Sequence, residues 1–146
     1  ALAGAGAFGI KHLDGIKNID GVEVVSLVSR DLEKTKETAA KYGIGHVTTE
    51  LAESLALAEV DAVILCTPTQ MHASQTLACL NAGKHVQVEI PLFDVLADGE
   101  EVLRVQQQSG LVAMCGHTRR FNPSHQWVHK KSKAGEFNIQ QMDVQT

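Results

Sequence analysis

Three glycines at the spacing Gly-x-Gly-x-x-Gly stand near the start of the chain, at Gly4, Gly6 and Gly9. In a strand–turn–helix unit the first such glycine allows a sharp turn out of the strand, and the second lets the backbone approach a pyrophosphate. The third lets the helix pack closely on the strand. The spacing predicts a dinucleotide-binding turn, and a glycine turn without a ligand is the alternative.

The residues on both sides of the glycines follow the pattern that such a unit requires. Residues 1–3 are apolar, and Phe8, Leu13 and Ile16 recur at helical spacing. Residues 22–28 read VEVVSLV, a run typical of a β-strand. The order strand, glycine turn, helix, strand therefore predicts a complete βαβ unit.

The second predicted strand ends in Ser29 and Arg30, where the ribose of a bound dinucleotide is recognised. Sites for NAD place Asp or Glu about 20 residues after the glycines to bind the ribose 2′-hydroxyl, whereas an arginine there accommodates the 2′-phosphate of NADP. The pair predicts an NADP(H) site, with NAD as the alternative cofactor.

Strands and helices alternate along the rest of the chain as far as residue 115, with Gly43, Gly83 and Gly110 at predicted helix ends. This order predicts an α/β fold, a doubly wound parallel sheet with ligands at the carboxyl ends of its strands. After the first βαβ unit we predict helices over 32–42, 50–56, 71–82 and about 95–109, and strands over 46–47, 61–66, 85–89 and 111–115.

The pattern changes after Arg120. Asn122 and Pro123 predict the start of a helix that runs to about Ala134, and residues 137–144 predict a strand. We therefore expect a Rossmann domain over residues 1–120, and over 121–146 a linker helix with the first strand of an incomplete α+β substrate domain. Because the chain begins inside a predicted strand without Met, we also expect residues before it.

Composition excludes several classes of protein. The 146-residue chain has a formal net charge of −4, which argues against nucleic acid as a partner, and no apolar run is long enough to span a membrane. Cys66, Cys79 and Cys115 form no CxxC motif, as expected for a cytoplasmic protein. His125 and His129 are four residues apart without a third ligand nearby, so we predict no metal site.

Four motifs occur in one order along the chain: the three glycines, Thr67-Pro68-x-x-x-His72, Glu89-x-Pro91 and Arg120-Phe121-x-Pro123. In this order they resemble the N-terminal half of the Gfo/Idh/MocA oxidoreductase family. The resemblance implies an NAD(P)-dependent dehydrogenase that forms a homo-oligomer when full length.

The resemblance also implies a set of residues that bind the cofactor. Lys34 is expected near the 2′-phosphate, although an exposed lysine is the alternative. His72 is expected on the cofactor side, although a helix-start residue held by local hydrogen bonds is the alternative. The full predicted set is Gly4, Ala5, Gly6, Ala7, Phe8, Gly9, Ser29, Arg30, Lys34, Thr67, Pro68, Thr69, Gln70, His72, Glu89 and Ile90.

Ile90 departs from the family pattern, which has a lysine between the glutamate and the proline. The isoleucine side chain can neither donate nor accept a proton. Either the site oxidises a more acidic hydroxyl, such as that of a hemiacetal, with a base from elsewhere, or the protein is not a dehydrogenase of ordinary alcohols. The main catalytic base is expected after Thr146, and His117 is the candidate within this chain.

Arg119 and Arg120 are predicted to bind the substrate, because guanidinium groups bind carboxylates in pairs of hydrogen bonds. The alternative is that one of them only ties the linker helix to the Rossmann domain. The resemblance implies a small polycarboxylate substrate with a hemiacetal hydroxyl, which both arginines would fit. A sugar or polyol dehydrogenase of the same family, and a non-catalytic NADP(H)-binding module, are the alternatives.

Overall fold

The computed structural model describes residues 1–141 and 143. Its strands are β1 (Leu2–Ala3), β2 (Ser26–Val28), β3 (His46–Thr48), β4 (Ala62–Leu65), β5 (His85–Val88) and β6 (Ala113–Cys115). They form one parallel sheet in the order β3-β2-β1-β4-β5-β6, which confirms the doubly wound prediction. Strand order reverses between β1 and β4, and ligands of such sheets bind outside the carboxyl ends of the strands at this point.

Helices follow the strands at nearly the predicted positions. The second helix has the predicted bounds, and the fourth begins two residues earlier than Met71. Gly43 and Gly110 follow the second and fifth helices with φ angles of 72° and 67°, left-handed values that favour glycine. The helices are α1 (Ala7–Ile16), α2 (Leu32–Tyr42), α3 (Leu51–Leu55), α4 (Thr69–Asn81), α5 (Leu96–Ser109) and α6 (Pro123–Lys133).

Hydrophobic packing covers both faces of the sheet. Leu2 and Ala3 are neighbours in β1, yet Leu2 packs with Leu13 and Leu27 while Ala3 packs with Val63 and other residues of a second cluster. Successive residues of a strand point to opposite faces, so each cluster lies on its own face. This two-sided burial holds β1 and β4 rigidly at the centre, where the glycine turn begins.

The chain divides into two compact units, the first spanning Ala1–Gly116 and the second beginning at His117, four residues before the predicted boundary. The second unit contains a short 3-10 helix, Thr118–Phe121, followed by α6. No helix among the described residues is long and apolar enough to cross a membrane.

The predicted strand over 137–144 is wrong for residues 137–141 and 143, which have no strand geometry. Its positions 142 and 144 lie outside the described residues. A strand needs a neighbouring strand for its backbone hydrogen bonds. The described elements of the second unit are both helical, so they offer no such neighbour.

Two buried threonines on different helices allow a matched test of polar burial. The Thr76 hydroxyl has no hydrogen-bond partner among the described residues, whereas the Thr35 hydroxyl donates to the carbonyl of Asp31 at 2.5 Å. We expect Thr76→Val to leave the free energy of unfolding unchanged or raise it by up to about 1 kcal/mol, because an unsatisfied hydroxyl is removed. Thr35→Val should lower the free energy of unfolding by about 1 kcal/mol, because a hydrogen bond is lost. Equal effects of the two substitutions in urea denaturation would contradict the difference in hydrogen bonding between the two hydroxyls.

Candidate functional site

Two glycines bring β1, β4 and α1 into close contact at the carboxyl end of the sheet. Gly4 has a φ angle of 102°, and its N–H donates to the carbonyl of Val28 at 2.8 Å. A Cβ added at Gly4 would overlap the carbonyl oxygen of Cys66, and one added at Gly9 would overlap the carbonyl oxygen of Gly4. The turn therefore requires glycine at both positions for reasons of space.

The first turn of α1 presents its backbone N–H groups without a side-chain cap. The N-cap residue is Gly6, so no side chain accepts a hydrogen bond from these N–H groups. A Cβ added at Gly6 would have no other atom within 4 Å, so the space in front of the helix is open. The uncapped N–H groups belong to the predicted residues Ala7, Phe8 and Gly9. Together with the helix dipole, such groups form a binding site for an anion such as a pyrophosphate.

A cleft of about 440 Å³ lies at this end of the sheet. Half of the predicted cofactor residues line it: Gly4, Ala5, Gly6, Ser29, Arg30, Lys34, Thr67 and Pro68. It is also lined by residues that the sequence did not assign to the cofactor site, namely Val28, Asp31, Thr35, Thr38, Thr49, Cys66, Met71 and Gln75. The cleft thus joins the glycine turn to the ends of β2 and β4.

An acidic side chain stands beside the predicted arginine. Asp31 caps α2 by accepting a hydrogen bond from the backbone N–H of Lys34 at 3.2 Å, and this bond lowers the pKa of the carboxyl. The ammonium of Lys34 lies 3.4 Å from the same carboxylate. Arg30 is exposed and has no ion pair among the described residues. Arg30 is therefore better able than Lys34 to bind a phosphate, because the ammonium of Lys34 is already paired with Asp31.

The loop after β4 forms a second wall of the cleft. The Thr67 hydroxyl donates to Oε1 of Gln75 at 2.5 Å, which fixes the side chain against α4. Thr69 and Gln70, the first residues of α4, do not line the cleft. The His72 side chain is buried, with both ring nitrogens close to backbone carbonyls, so its direct contact with a cofactor stays a prediction.

Glu89 is buried at the end of β5 and contacts a residue that sequence reasoning missed. Nε2 of His12 lies 2.7 Å from Oε1 of Glu89. A Cβ added at Gly116 would come within 2.9 Å of the same oxygen. The carboxylate of Glu89 therefore occupies the space that a side chain at position 116, just after β6, would need. Neither Glu89 nor the neighbouring Ile90 lines the cleft, and Ile90 is half exposed.

The thiol of Cys66 completes a cluster with this pair. Ligand atoms of His12, Cys66 and Glu89 lie within 4.8 Å of one another, the one such group among residues 1–141 and 143. Burial, and secondarily the Glu89 carboxylate, raise the pKa of Cys66 to about 12, so it is a neutral thiol at physiological pH. The cluster is best described as a hydrogen-bonded His–Glu pair beside a thiol.

Cationic and imidazole side chains surround a second cavity, which lies wholly within the second unit. Its volume is about 680 Å³, and no carboxylate from residues 1–141 or 143 lines it. The predicted substrate residues Arg119 and Arg120 lie on the 3-10 helix, and the rest of the lining comes from α6. The lining residues are Arg119, Arg120, His125, Gln126, His129 and Lys130.

His117, the candidate base, is the residue before the 3-10 helix and is exposed. Its carbonyl accepts a hydrogen bond from the N–H of Arg120 at 3.0 Å. Its ring has no hydrogen-bond partner among the described residues. No acid therefore orients this imidazole within the part of the chain that the structure describes.

The residues of the first unit fit a dinucleotide. The uncapped helix N-terminus suits the pyrophosphate, and the exposed guanidinium of Arg30 stands in the cleft beyond it. The two glycines leave room for the backbone to approach a ligand.

Comparison with known proteins agrees with this geometry. The profile of a family described as an oxidoreductase family with an NAD-binding Rossmann fold matches residues 1–117. Over its whole length the chain is 69% identical to a 4-carboxy-2-hydroxymuconate-6-semialdehyde dehydrogenase of Sphingobium sp. (strain NBRC 103272 / SYK-6), of which it covers 46%.

Solved structures show the same fold. One is a scyllo-inositol dehydrogenase from Lactobacillus casei with bound NAD(H) and scyllo-inositol, with a TM-score of 0.87 and 26% identity over 92% of this chain and 40% of that one. Another is a 3-ketoreductase from Actinomadura kijaniata in complex with TDP-benzene and NADP, with a TM-score of 0.84 and 26% identity over 92% of this chain and 42% of that one. The chain thus spans less than half the length of these relatives, and on the profile match and the 69% identity it belongs to the Gfo/Idh/MocA family of oxidoreductases.

Proposed function

We propose that this chain is the cofactor-binding half of an NADP-dependent dehydrogenase. Its substrate is the cyclic hemiacetal of 4-carboxy-2-hydroxymuconate semialdehyde, and its product is 2-pyrone-4,6-dicarboxylate. The identity of 69% to the Sphingobium enzyme supports the substrate. The choice of NADP as cofactor rests on one observation: a single cleft joins the uncapped N-terminus of α1 to the exposed guanidinium of Arg30.

The chain's own residues bind and orient the dinucleotide. The N–H groups at the start of α1 receive the pyrophosphate, and Arg30 pairs with the 2′-phosphate. Thr67 and Pro68 wall the cleft on the side of β4. When bound, NADP⁺ supplies the acceptor for the hydride that leaves the hemiacetal carbon.

The hydroxyl of the hemiacetal must lose its proton as the carbon loses its hydride. Ile90 has no atom that accepts a proton, so we assign this step to a base after Thr146 or to His117. A hemiacetal hydroxyl is more acidic than that of an ordinary alcohol, and it therefore makes a smaller demand on that base.

The second cavity supports a substrate with several carboxylates. Arg119 and Arg120 stand on one side, and His125, His129 and Lys130 stand on α6. Among the residues that the structure describes, no carboxylate lines the cavity, which favours an anionic ligand for these cations.

Cofactor choice is tested by Arg30→Ala. We expect the affinity for NADPH to fall about 10- to 100-fold, because a charge-assisted hydrogen bond contributes about 1.5–3 kcal/mol, while NADH binding changes little. Arg104→Ala is the matched control, since Arg104 pairs with Glu101 on α5, outside the cleft. The measurement is a fluorescence titration of each cofactor. If the ratio of NADPH affinity to NADH affinity is the same in wild type and in Arg30→Ala, then Arg30 does not bind the 2′-phosphate.

The reaction is tested in a chimera in which this chain replaces the matching part of the Sphingobium enzyme. We expect the chimera to form NADPH from NADP⁺ and the hemiacetal, and to leave myo-inositol unoxidised. Ile90→Lys should not raise kcat on the hemiacetal, since the lysine has no role in that reaction. A folded chimera that prefers myo-inositol, or one that gains strongly from Ile90→Lys, would favour a polyol dehydrogenase instead.

A further inference from the structure

Asp31 places a negative charge inside the cleft, between β2 and α2. It lines the cleft together with Arg30 and Lys34. Both of its carboxylate oxygens contact one residue: Oδ1 accepts a hydrogen bond from the backbone N–H of Lys34 at 3.2 Å, and Oδ2 lies 3.4 Å from the Lys34 ammonium. The hydrogen bond lowers the pKa of the carboxyl, so Asp31 is an anion at neutral pH.

A phosphate on the ribose of a dinucleotide would make the same kinds of contact. Phosphate oxygens bind ammonium groups and the N–H groups at the start of a helix, and Asp31 already contacts both groups of Lys34. We infer that Asp31 competes with the 2′-phosphate for the Lys34 ammonium and so limits the preference of the cleft for NADP(H) over NAD(H). This competition rests on the proposed function, because it requires a dinucleotide in the cleft.

The Lys34 ammonium can change partners because its ion pair is exposed. The side chains of Lys34 and Asp31 are 82% and 52% exposed, and exposed pairs are weak in water. A phosphate monoester carries a charge of about −1.5 to −2 at pH 7, against −1 on a carboxylate, so it attracts the ammonium more strongly. To bind it, Lys34 must leave Asp31. NADH has no such phosphate and leaves the pair intact, so Asp31 opposes only the phosphorylated cofactor.

The alternative role for Asp31 is that of an N-cap alone. An N-cap residue stabilises its helix through an oxygen that accepts a backbone N–H, and Asn or Ser performs this as well as Asp. A neutral cap should therefore leave the cofactor preference unchanged if capping is the whole role. Competition for Lys34 depends instead on the negative charge, so a neutral cap should then raise the preference for NADPH.

The two roles are separated by Asp31→Asn, which keeps a capping oxygen and removes the charge. We expect NADPH to bind about 3- to 5-fold more tightly in a fluorescence titration, while NADH affinity changes less than about twofold. Asp14→Asn is the matched control, because Asp14 also lies 3.4 Å from the ammonium of a lysine three residues later, Lys17, but outside the cleft. This control should leave the ratio of NADPH affinity to NADH affinity unchanged.

The part played by Lys34 is tested by Lys34→Gln, alone and combined with Asp31→Asn. Without the ammonium, the carboxylate and the phosphate have no shared partner, so Asp31→Asn should raise NADPH affinity less than about twofold in the Lys34→Gln protein. An undiminished gain there would overturn the competition for Lys34.

The outcome for wild type separates this competition from the proposed function. A wild-type chain that binds neither dinucleotide would overturn both. A wild-type chain that binds NADPH, with the same ratio of NADPH affinity to NADH affinity in Asp31→Asn, would overturn the competition alone. Asp31→Ser, which also keeps a capping oxygen without the charge, should give the same gain as Asp31→Asn and replaces it if that variant fails to fold.

Discussion

Gly9→Ala is expected to abolish detectable NADPH binding by this chain, a loss of at least about 100-fold. The added Cβ would overlap the carbonyl oxygen of Gly4 and approach Cδ2 of Leu2 to 3.2 Å. Overpacking of a core usually costs about 1–3 kcal/mol, and here the obstacle is backbone, which cannot turn away as a side chain does. Relief requires α1 to move off β1, which displaces the N–H groups that receive the pyrophosphate.

Gly15→Ala in the same helix is the matched control. An added Cβ at Gly15 would have nothing within 4 Å, so the substitution removes only the conformational freedom of glycine. We expect it to raise the free energy of unfolding by about 0.5–1 kcal/mol and to leave NADPH affinity unchanged. Thermal unfolding and a fluorescence titration of both variants give the comparison, and a Gly9→Ala protein that binds NADPH normally would contradict the close contact.

Local patterns were sufficient to predict the sheet and its helices. The bounds of α2 follow from its spacing and from Gly43, because a helix end is a local event in the backbone. Asp31 was missed as a cleft residue, although a signal was present: an acid directly before a helix is a common N-cap.

Contacts between distant parts of the chain had no such signal. His12 and Glu89 are 77 residues apart in sequence, and only the folded chain brings the side chain from α1 to the end of β5. The strand predicted over 137–144 failed for a related reason, since apolar alternation cannot show whether a neighbouring strand exists. A residue that lines the cleft from the second turn of α4, such as Gln75, likewise depends on the angle at which the helix packs.

The contact between His12 and Glu89 is expected to contribute strongly to stability. His12→Ala should lower the free energy of unfolding by about 3 kcal/mol, because it leaves a buried carboxylate without its hydrogen-bond partner. Glu89→Gln alone removes the charge but keeps a side chain that can accept from His12. Glu89→Gln in the His12→Ala background should recover part of the loss, since a neutral amide is easier to bury than a carboxylate.

The pair is measured by a double-mutant cycle in urea, with Lys36→Ala as the control. Lys36 lies 2.8 Å from Glu33, almost the same distance as His12 from Glu89, but the side chains of Lys36 and Glu33 are both more than half exposed. Exposed pairs are screened by water and salt, so Lys36→Ala should produce no measurable change. A coupling energy of about 1–3 kcal/mol between His12 and Glu89 is expected. Simple additivity of the two substitutions would mean that the carboxylate is solvated by water in the absence of the imidazole, and that the end of β5 is held by its backbone bonds alone.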